Sequence, residues 1–289
     1  MLDAQSTPPR KRSIIGAGTE HKHEISRFLN QKNISHLHLD WFSPLDWLGQ
    51  NPFLLEKHKA KIQGIMIAAP EVPKSTWVRL FSVTKNLSVH DVWERLLSKT
   101  IPILKDQQIN QLGALGFSDW FKDLLIRSNF KQDNSIVVLE WKDGILPTTK
   151  FSTQANMRSM RPEDLPEIEQ LDHLAFSSLW QNSLTGLKKA FNQPGISTVA
   201  TQQDQIIGYQ ISTTSTFQGH LARLAVHPDY QGQQVGSQLL ADLLDRMLKT
   251  DAHTITVNTQ TDNHSSLAIY KKFGFQHTQE TIPVYLKHF

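Results

Sequence analysis

The chain of 289 residues contains no cysteine. Disulfides, thiolate metal sites and a cysteine nucleophile are therefore excluded, and no metal site is expected. No stretch of about eighteen consecutive apolar residues occurs, so no membrane-spanning helix is expected. Residues 1–30 hold no apolar segment of the kind that opens a secreted chain, and a cytoplasmic protein is the default expectation. Charge of one sign is also missing: 30 Lys and Arg stand against 27 Asp and Glu, a formal net charge of +3. That balance gives no electrostatic argument for a nucleic acid partner. The one dense basic cluster, Arg10-Lys11-Arg12, follows Pro8-Pro9, and residues 1–12 read as a flexible tail.

What is present is enough for two packed cores. Hydrophobic residues make up 39% and charged residues 20%, a globular composition, and the length suits two domains. Several segments recur at one spacing. Lys61-Ile62-Gln63-Gly64 resembles Gln205-Ile206-Ile207-Gly208, and Arg79-Leu80 resembles Arg223-Leu224, in both cases 144 residues apart. Ser128-Asn129-Phe130 and Phe273-Gly274-Phe275 each end a helical pattern, 145 apart, and each is followed by a β-rich pair of segments. A duplicated fold is the reading, with the first copy diverged. The boundary falls in residues 142–150, rich in Gly, Pro and polar residues. The expected domains are 13–145 and 155–289.

The second half opens with Pro162-Glu163-Asp164, good helix-start chemistry. A helix over about 163–175 is predicted, with Leu165, Ile168, Leu171 and Leu174 as core. Residues 197–201 and 206–212 form a predicted hairpin. A third strand spans about 220–226, a long helix 235–249, a fourth strand 254–257, and a helix runs through Tyr270 to terminal strands.

The informative stretch is Leu224-Ala225-Val226-His227-Pro228-Asp229-Tyr230-Gln231-Gly232-Gln233-Gln234-Val235-Gly236-Ser237. It is a strand, a proline turn and a polar loop running into a helix. The N–H groups at such a helix start, with the positive end of its dipole, make a candidate anion cradle. The loop resembles motif A of the GNAT superfamily of N-acetyltransferases, Gln/Arg-x-x-Gly-x-Gly/Ala, with Gln231 first and Gly236 last; Gln234 replaces the usual glycine. Asn263 to Phe275 resembles the superfamily's Asn-x-x-Ala-x-x-x-Tyr-x-x-x-Gly-Phe, with Asn263 and Tyr270 in register and Ser266 in place of Ala. The resemblance covers residues 155–289 and implies an α/β (α+β) fold, two tandem domains each with a mixed, mostly antiparallel twisted sheet flanked by helices.

It also implies acetyl-CoA as cosubstrate. Coenzyme A would contact Leu224, Ala225 and Val226, the loop residues Gln231, Gly232, Gln233, Gln234, Val235, Gly236 and Ser237, and Asn263, Ser266 and Tyr270. The acceptor would be a primary amine on a small molecule or a protein. Transfer needs an oxyanion donor, placed at a backbone N–H near Val226, and an acid for the leaving thiolate, assigned to Tyr270. Strand Phe217–Val226 has no carboxylate, so His220 is the candidate base, with Asp172, His173 or a water chain as alternatives. Trp180 reads as cleft wall or core, and Arg223 as an internal ion pair or an acceptor contact.

The first half lacks this apparatus. Leu125 stands at the tyrosine position, Ser118 at the asparagine position, and Thr84 to Asp91 holds no glycine. Ser88 and Asp91 read as a helix N-cap, and this copy is expected to be non-catalytic. Trp41, Phe42, Trp47, Phe53 and Trp77 supply an aromatic core or a cleft wall. Competing readings are an acyl-CoA-binding protein without catalysis, and a transferase of longer acyl groups or from aminoacyl-tRNA. Monomer and homodimer both stay open.

Overall fold

A computed structural model describes residues 12–142, 155–250 and 252–289. Apart from Arg12 and Lys142, the tail and linker read from the sequence lie outside them. Two compact units emerge: one holds residues up to Lys131 with Leu286–Phe289, the other Gln132–Tyr285. Among the described residues no helix is long and apolar enough to cross a membrane, and no group of three or more His, Asp or Glu suited to a metal occurs.

The first unit runs β1 (Ser13–Gly16), α1 (Lys22–Leu29), β2 (Ile34–Leu37), β3 (Phe53–His58), β4 (Lys61–Ile67), β5 (Ser75–Trp77), β6 (Leu80–Val83), α2 (Val89–Asp106), β7 (Gln111–Leu115) and α3 (Asp119–Arg127). Its antiparallel sheet has the order β1-β3-β4-β6-β2, and β5 pairs with β7 in parallel. Ile25, Phe28, Phe53, Leu55, Ile65 and Ile67 pack into one core with Trp47. Trp47, Phe53 and Trp77 are thus core, and Phe42 packs at its edge. Ser88 caps α2 by accepting the Asp91 N–H at 3.3 Å.

The second unit takes β8 (Lys131–Lys142), β9 (Asn156–Ser159), α4 (Leu165–Ala175), α5 (Leu184–Phe191), β10 (Ser197–Gln202), β11 (Gln205–Thr214), β12 (Gln218–Val226), α6 (Val235–Met247), β13 (Thr254–Gln260), α7 (His264–Lys272) and β14 (Gln276–His288). The strand order is β14-β8-β13-β12-β11-β10-β9. β9–β10, β10–β11, β11–β12 and β8–β13 pair antiparallel, and β12–β13 pair in parallel. The units therefore divide earlier than the boundary read from the sequence. Residues 136–142, read as the end of the first domain, ladder along β13 from Ile136↔Gln260 to Lys142↔Thr254. The expected terminal pairs of β segments are single long strands, β8 and β14.

Leu174 is a correction. Leu165, Ile168 and Leu171 are buried, but Leu174 is 59% exposed. Each three-residue step along an α-helix falls short of a full turn by about 60°, so three steps carry the side chain to the opposite face. Asp172 takes the inward position instead.

Register makes the duplication explicit. The pairs Glu56↔Gly64 and His58↔Lys61 become, 144 residues on, Ala200↔Gly208 and Gln202↔Gln205, with a bulge at the same place in each hairpin. The parallel pair Ser75↔Gln111 to Trp77↔Gly113 becomes Gly219↔Ile255 to Leu221↔Val257. Both following helices close with one hydrogen bond: Phe130 N–H to Leu125 O, and Phe275 N–H to Tyr270 O, each 3.0 Å. The residue before is left-handed in each, Asn129 (φ 60°) and Gly274 (φ 88°). One correspondence shifts. Leu80 opposes Ile67 as Arg223 opposes Ile211, so Arg79 and Arg223 stand one residue out of step.

A buried histidine makes the first unit acid-labile. His36 is 4% exposed, its ring stacked 3.9 Å from that of Phe121. Burial pulls its pKa from 6.5 to about 4, partly offset by a hydrogen bond to Val78 O. The unfolded chain takes the proton first, so stability is full above pH 6.5 and is lost as pH falls toward 4. The loss expected from this group is about 2 kcal/mol by pH 5 and about 3 kcal/mol below pH 4. Urea unfolding at pH 7 and pH 5 should show His36→Leu losing less on acidification than the native chain. Equal losses would refute the assignment.

Candidate active site

The site begins where two parallel strands part. β12 and β13 are paired only from Gln218↔Thr254 to Leu221↔Val257. Beyond that point β12 stays with β11 as far as Val226↔Gly208, while β13 stays with β8 as far as Gln260↔Ile136. A wedge opens between residues 222–226 and 258–260. Among the described residues no strand lies beside this β12 edge, whose backbone N–H and C=O groups need a partner.

A bulge sets which side chains face which way. Ile211 opposes Arg223 but Ser212 opposes Leu221, leaving Ala222 as the extra residue. Leu221 and Leu224 therefore share the face that packs against α6. Arg223 turns to the other face, toward α4. There its Nε and Nη2 reach Asp172 Oδ2 at 2.8 and 2.7 Å. Its guanidinium lies 3.5 Å from the Phe176 ring centroid, and Nη2 also donates to Trp180 O at 2.6 Å. Tyr209 donates its hydroxyl to the same Asp172 oxygen. Burial, then the neighbouring Asp172, holds the Tyr209 pKa well above the usual value. Asp172 is fully buried, and its Oδ1 accepts the Asn182 N–H at 2.9 Å. Both its oxygens are engaged, so it serves as an internal anchor and not as a base; Arg223 is its ion-pair partner. His173 is likewise held, with Nε2 3.0 Å from Asn182 O.

The loop from β12 to α6 is tied to the strand. Gln231 Nε2 donates to Val226 O at 3.2 Å, and Gln233 Nε2 to Asp229 O at 3.0 Å. Gly232 takes a positive φ of 75°. Gln234 stands at the cap of α6 with φ 66° and makes no side-chain cap bond. The first amides of the helix, those of Val235, Gly236 and Ser237, have no acceptor within the helix, and the positive dipole end coincides with them. Gly236 is the point of convergence. A Cβ there would lie 3.3 Å from Ile269 Cδ1, 3.5 Å from Val226 Cγ2 and 3.7 Å from Leu224 Cδ2. Start of α6, end of β12 and α7 thus meet at one residue.

On α7, Asn263 caps the helix, its Oδ1 accepting the Ser266 N–H at 3.2 Å. Tyr270 is 5% exposed. Burial pushes its pKa well above the usual tyrosine value, partly offset by a hydrogen bond with Ser266. His220 lies just below the opening of the wedge, with Nδ1 2.8 Å from Thr256 Oγ1. Burial lowers its pKa below 6.5, partly offset by the bond to Thr256. Sequence reasoning missed the wedge itself and Ile269. One signal was present: apolar Ile255 and Val257 give way to Asn258, Thr259 and Gln260 where β13 leaves its neighbour.

Comparison with known proteins agrees with this geometry. Residues 164–275 match the family model described as Acetyltransferase (GNAT) family. N-alpha-acetyltransferase 30 of Schizosaccharomyces pombe is 31% identical over 87 residues, covering 28% of this chain and 58% of that protein. The ribosomal protein bS18-alanine N-acetyltransferase of Escherichia coli is 25% identical over 117 residues, covering 40% of this chain and 78% of that protein. Among solved structures, a tandem GNAT protein from the clavulanic acid biosynthesis pathway superposes with a TM-score of 0.63 at 10% identity, covering 96% of this chain and 98% of that one. At that identity the likeness is one of fold.

The cap residue offers a direct check. A left-handed non-glycine residue costs about 1 kcal/mol, so Gln234→Gly should raise the unfolding free energy by up to about 1 kcal/mol. Urea denaturation measures it. A loss of stability would mean that the Gln234 side chain contributes more than its backbone costs.

Proposed function

Because this chain belongs to the GNAT superfamily of acetyltransferases, as a tandem member, we propose that its second unit transfers acetyl from acetyl-CoA to a primary amine in a ternary complex. The observation that carries this reading is the meeting of three groups at Gly236: the α6 amides, the free edge of β12, and α7 with Tyr270. The amides of Val235, Gly236 and Ser237 suit the pyrophosphate. The edge from Ala222 to Val226 suits an extended chain that pairs with backbone groups, and one of its N–H groups is the oxyanion donor. Asn263 uses Oδ1 to cap α7, so its contact to coenzyme A falls to the amide nitrogen.

The amine nitrogen must first be unprotonated. His220, neutral at pH 7 because burial lowers its pKa, accepts that proton. Nitrogen then attacks the thioester carbon, the C–N bond forms, the positively charged nitrogen of the adduct gives its second proton to water, and the C–S bond breaks. The sulfur leaves as a thiolate whose conjugate acid has a pKa of roughly 8.5. Tyr270, kept protonated by its burial, donates its O–H proton to that sulfur and regains one from water. The acceptor side is bounded by Phe176 and Trp180, which Arg223 holds against β12. One relative is named for N-alpha-acetylation and another for acetylating an alanine of ribosomal protein bS18, so a peptide α-amino group is the first acceptor to offer.

Release of coenzyme A over a panel of amines and short peptides tests the activity. Turnover on at least one is expected; acetyl-CoA binding with no turnover on any would sink the reading. With an acceptor in hand, Tyr270→Phe should lower kcat about a hundredfold or more while the KM for acetyl-CoA moves little. Unchanged kcat would remove Tyr270 from the chemistry.

The pH profile separates the base from the acid. A base must be unprotonated, so kcat/KM should rise with pH and level off below neutrality, with a midpoint under 6.5. His220→Gln should abolish that limb; its persistence would assign the base elsewhere.

A further inference from the structure

The wedge of the second unit has a counterpart in the first, and there it is filled. β5 and β7 pair in parallel from Ser75↔Gln111 to Trp77↔Gly113, the register of β12 and β13 before they part. The strand then continues as β6, held by β4 from Leu80↔Ile67 to Val83↔Gly64. Its ladder equivalents in the second unit are residues 223–226, the edge that faces the wedge. In the first unit that edge carries β2, antiparallel, with Leu37↔Leu80, His36↔Phe81, Ser35↔Ser82 and Ile34↔Val83.

Side chains fasten β2 in place. Ser35 Oγ lies 2.7 Å from Ser82 Oγ. His36 Nε2 lies 3.3 Å from Val78 O, on the segment between β5 and β6, and its ring stacks on Phe121 of α3. The next residue but one, His38, donates its backbone N–H to Arg79 O at 2.9 Å. At the helix that would receive a phosphate, one first-turn amide is already taken. Ser88 caps α2 with its hydroxyl, whereas Gln234 makes no side-chain cap bond on α6.

We infer that β2 is a built-in occupant of the first unit's acyl-CoA slot: residues 34–37 make the backbone pairs that an extended pantetheine arm would make. The first unit is therefore closed to acyl-CoA, and the chain binds one coenzyme A, in the second unit. The stoichiometry rests on the reading of the second unit as the acyl-CoA site; the occupation of the first slot does not.

Hydrogen exchange on the full chain, read by mass spectrometry with and without saturating coenzyme A, tests both parts. Without ligand, amides of residues 34–37 and 80–83 should exchange as slowly as those of β3 and β4. With coenzyme A, new protection should appear at 222–226 and 235–237 and not at 34–37 or 80–83, and calorimetry should count one ligand per chain. Rapid exchange at 34–37, a second bound ligand, or a ligand effect on 34–37 would overturn the inference. Slow exchange at 34–37 with no coenzyme A bound anywhere would uphold the closed slot and instead defeat the acyl-CoA reading of the second unit.

Discussion

A parallel strand pair that stops short governs both halves of this molecule. Four residues of β12 pair with β13, and among the described residues no strand lies on that side of the next five. Backbone amides and carbonyls cannot be left dry without a partner; each orphaned group costs about 1–3 kcal/mol. The edge must be met by water, by a ligand or by another strand. In the first unit the chain meets it with its own β2. In the second it stays open beside the start of α6. The same backbone problem has two solutions, and on the reading given above only one of them leaves room for chemistry.

Holding the wedge open demands rigidity on its far side. The bulge at Ala222 turns Arg223 onto the α4 face, where it is fixed by Asp172, Tyr209 and the Phe176 ring. A buried ion pair of this kind adds little net stability, because desolvation offsets attraction; losing one member is costly. Its contribution is positional. The carboxylate on α4 fixes how β12 sits, and the Arg223 bond to Trp180 O brings the 176–180 segment to the same place. The 176–180 segment and the edge of β12 are thereby tied to one buried charge.

Much of this was legible in the chain. Gln231 to Gly236 and Asn263 to Phe275 marked the loop and the helix that converge, because backbone-binding motifs constrain glycine and cap residues directly. The hairpins were legible through their polar turns at Gln202-Gln203-Asp204. The wedge was not, because strand divergence is a tertiary property: Ala222 to Val226 reads the same whether or not a neighbour lies alongside. Leu174 misled because three-residue spacing drifts round a helix, and Asp172 was offered as a base because nothing local reveals that Tyr209 and Arg223, distant in sequence, already claim its oxygens. β2 escaped for the reason that Ile34-Ser35-His36-Leu37 is too short and too polar to announce a strand. The pairing of β8 with β13 was not legible because the apolar residues of β8 do not say which strand they join.

The two bulged hairpins, between Glu56 and Lys57 and between Ala200 and Thr201, bear on ancestry. Few of their side chains agree, yet each inserts its extra residue at the same rung. Asn129 keeps a left-handed turn that Gly274 makes with less strain. Irregular backbone is under a steric selection independent of catalysis, since removing a bulge slips every later side chain to the other face. Such irregularities outlast the residues that do chemistry. In a duplicated protein whose copies have diverged in their side chains, they are the more durable signature of common descent.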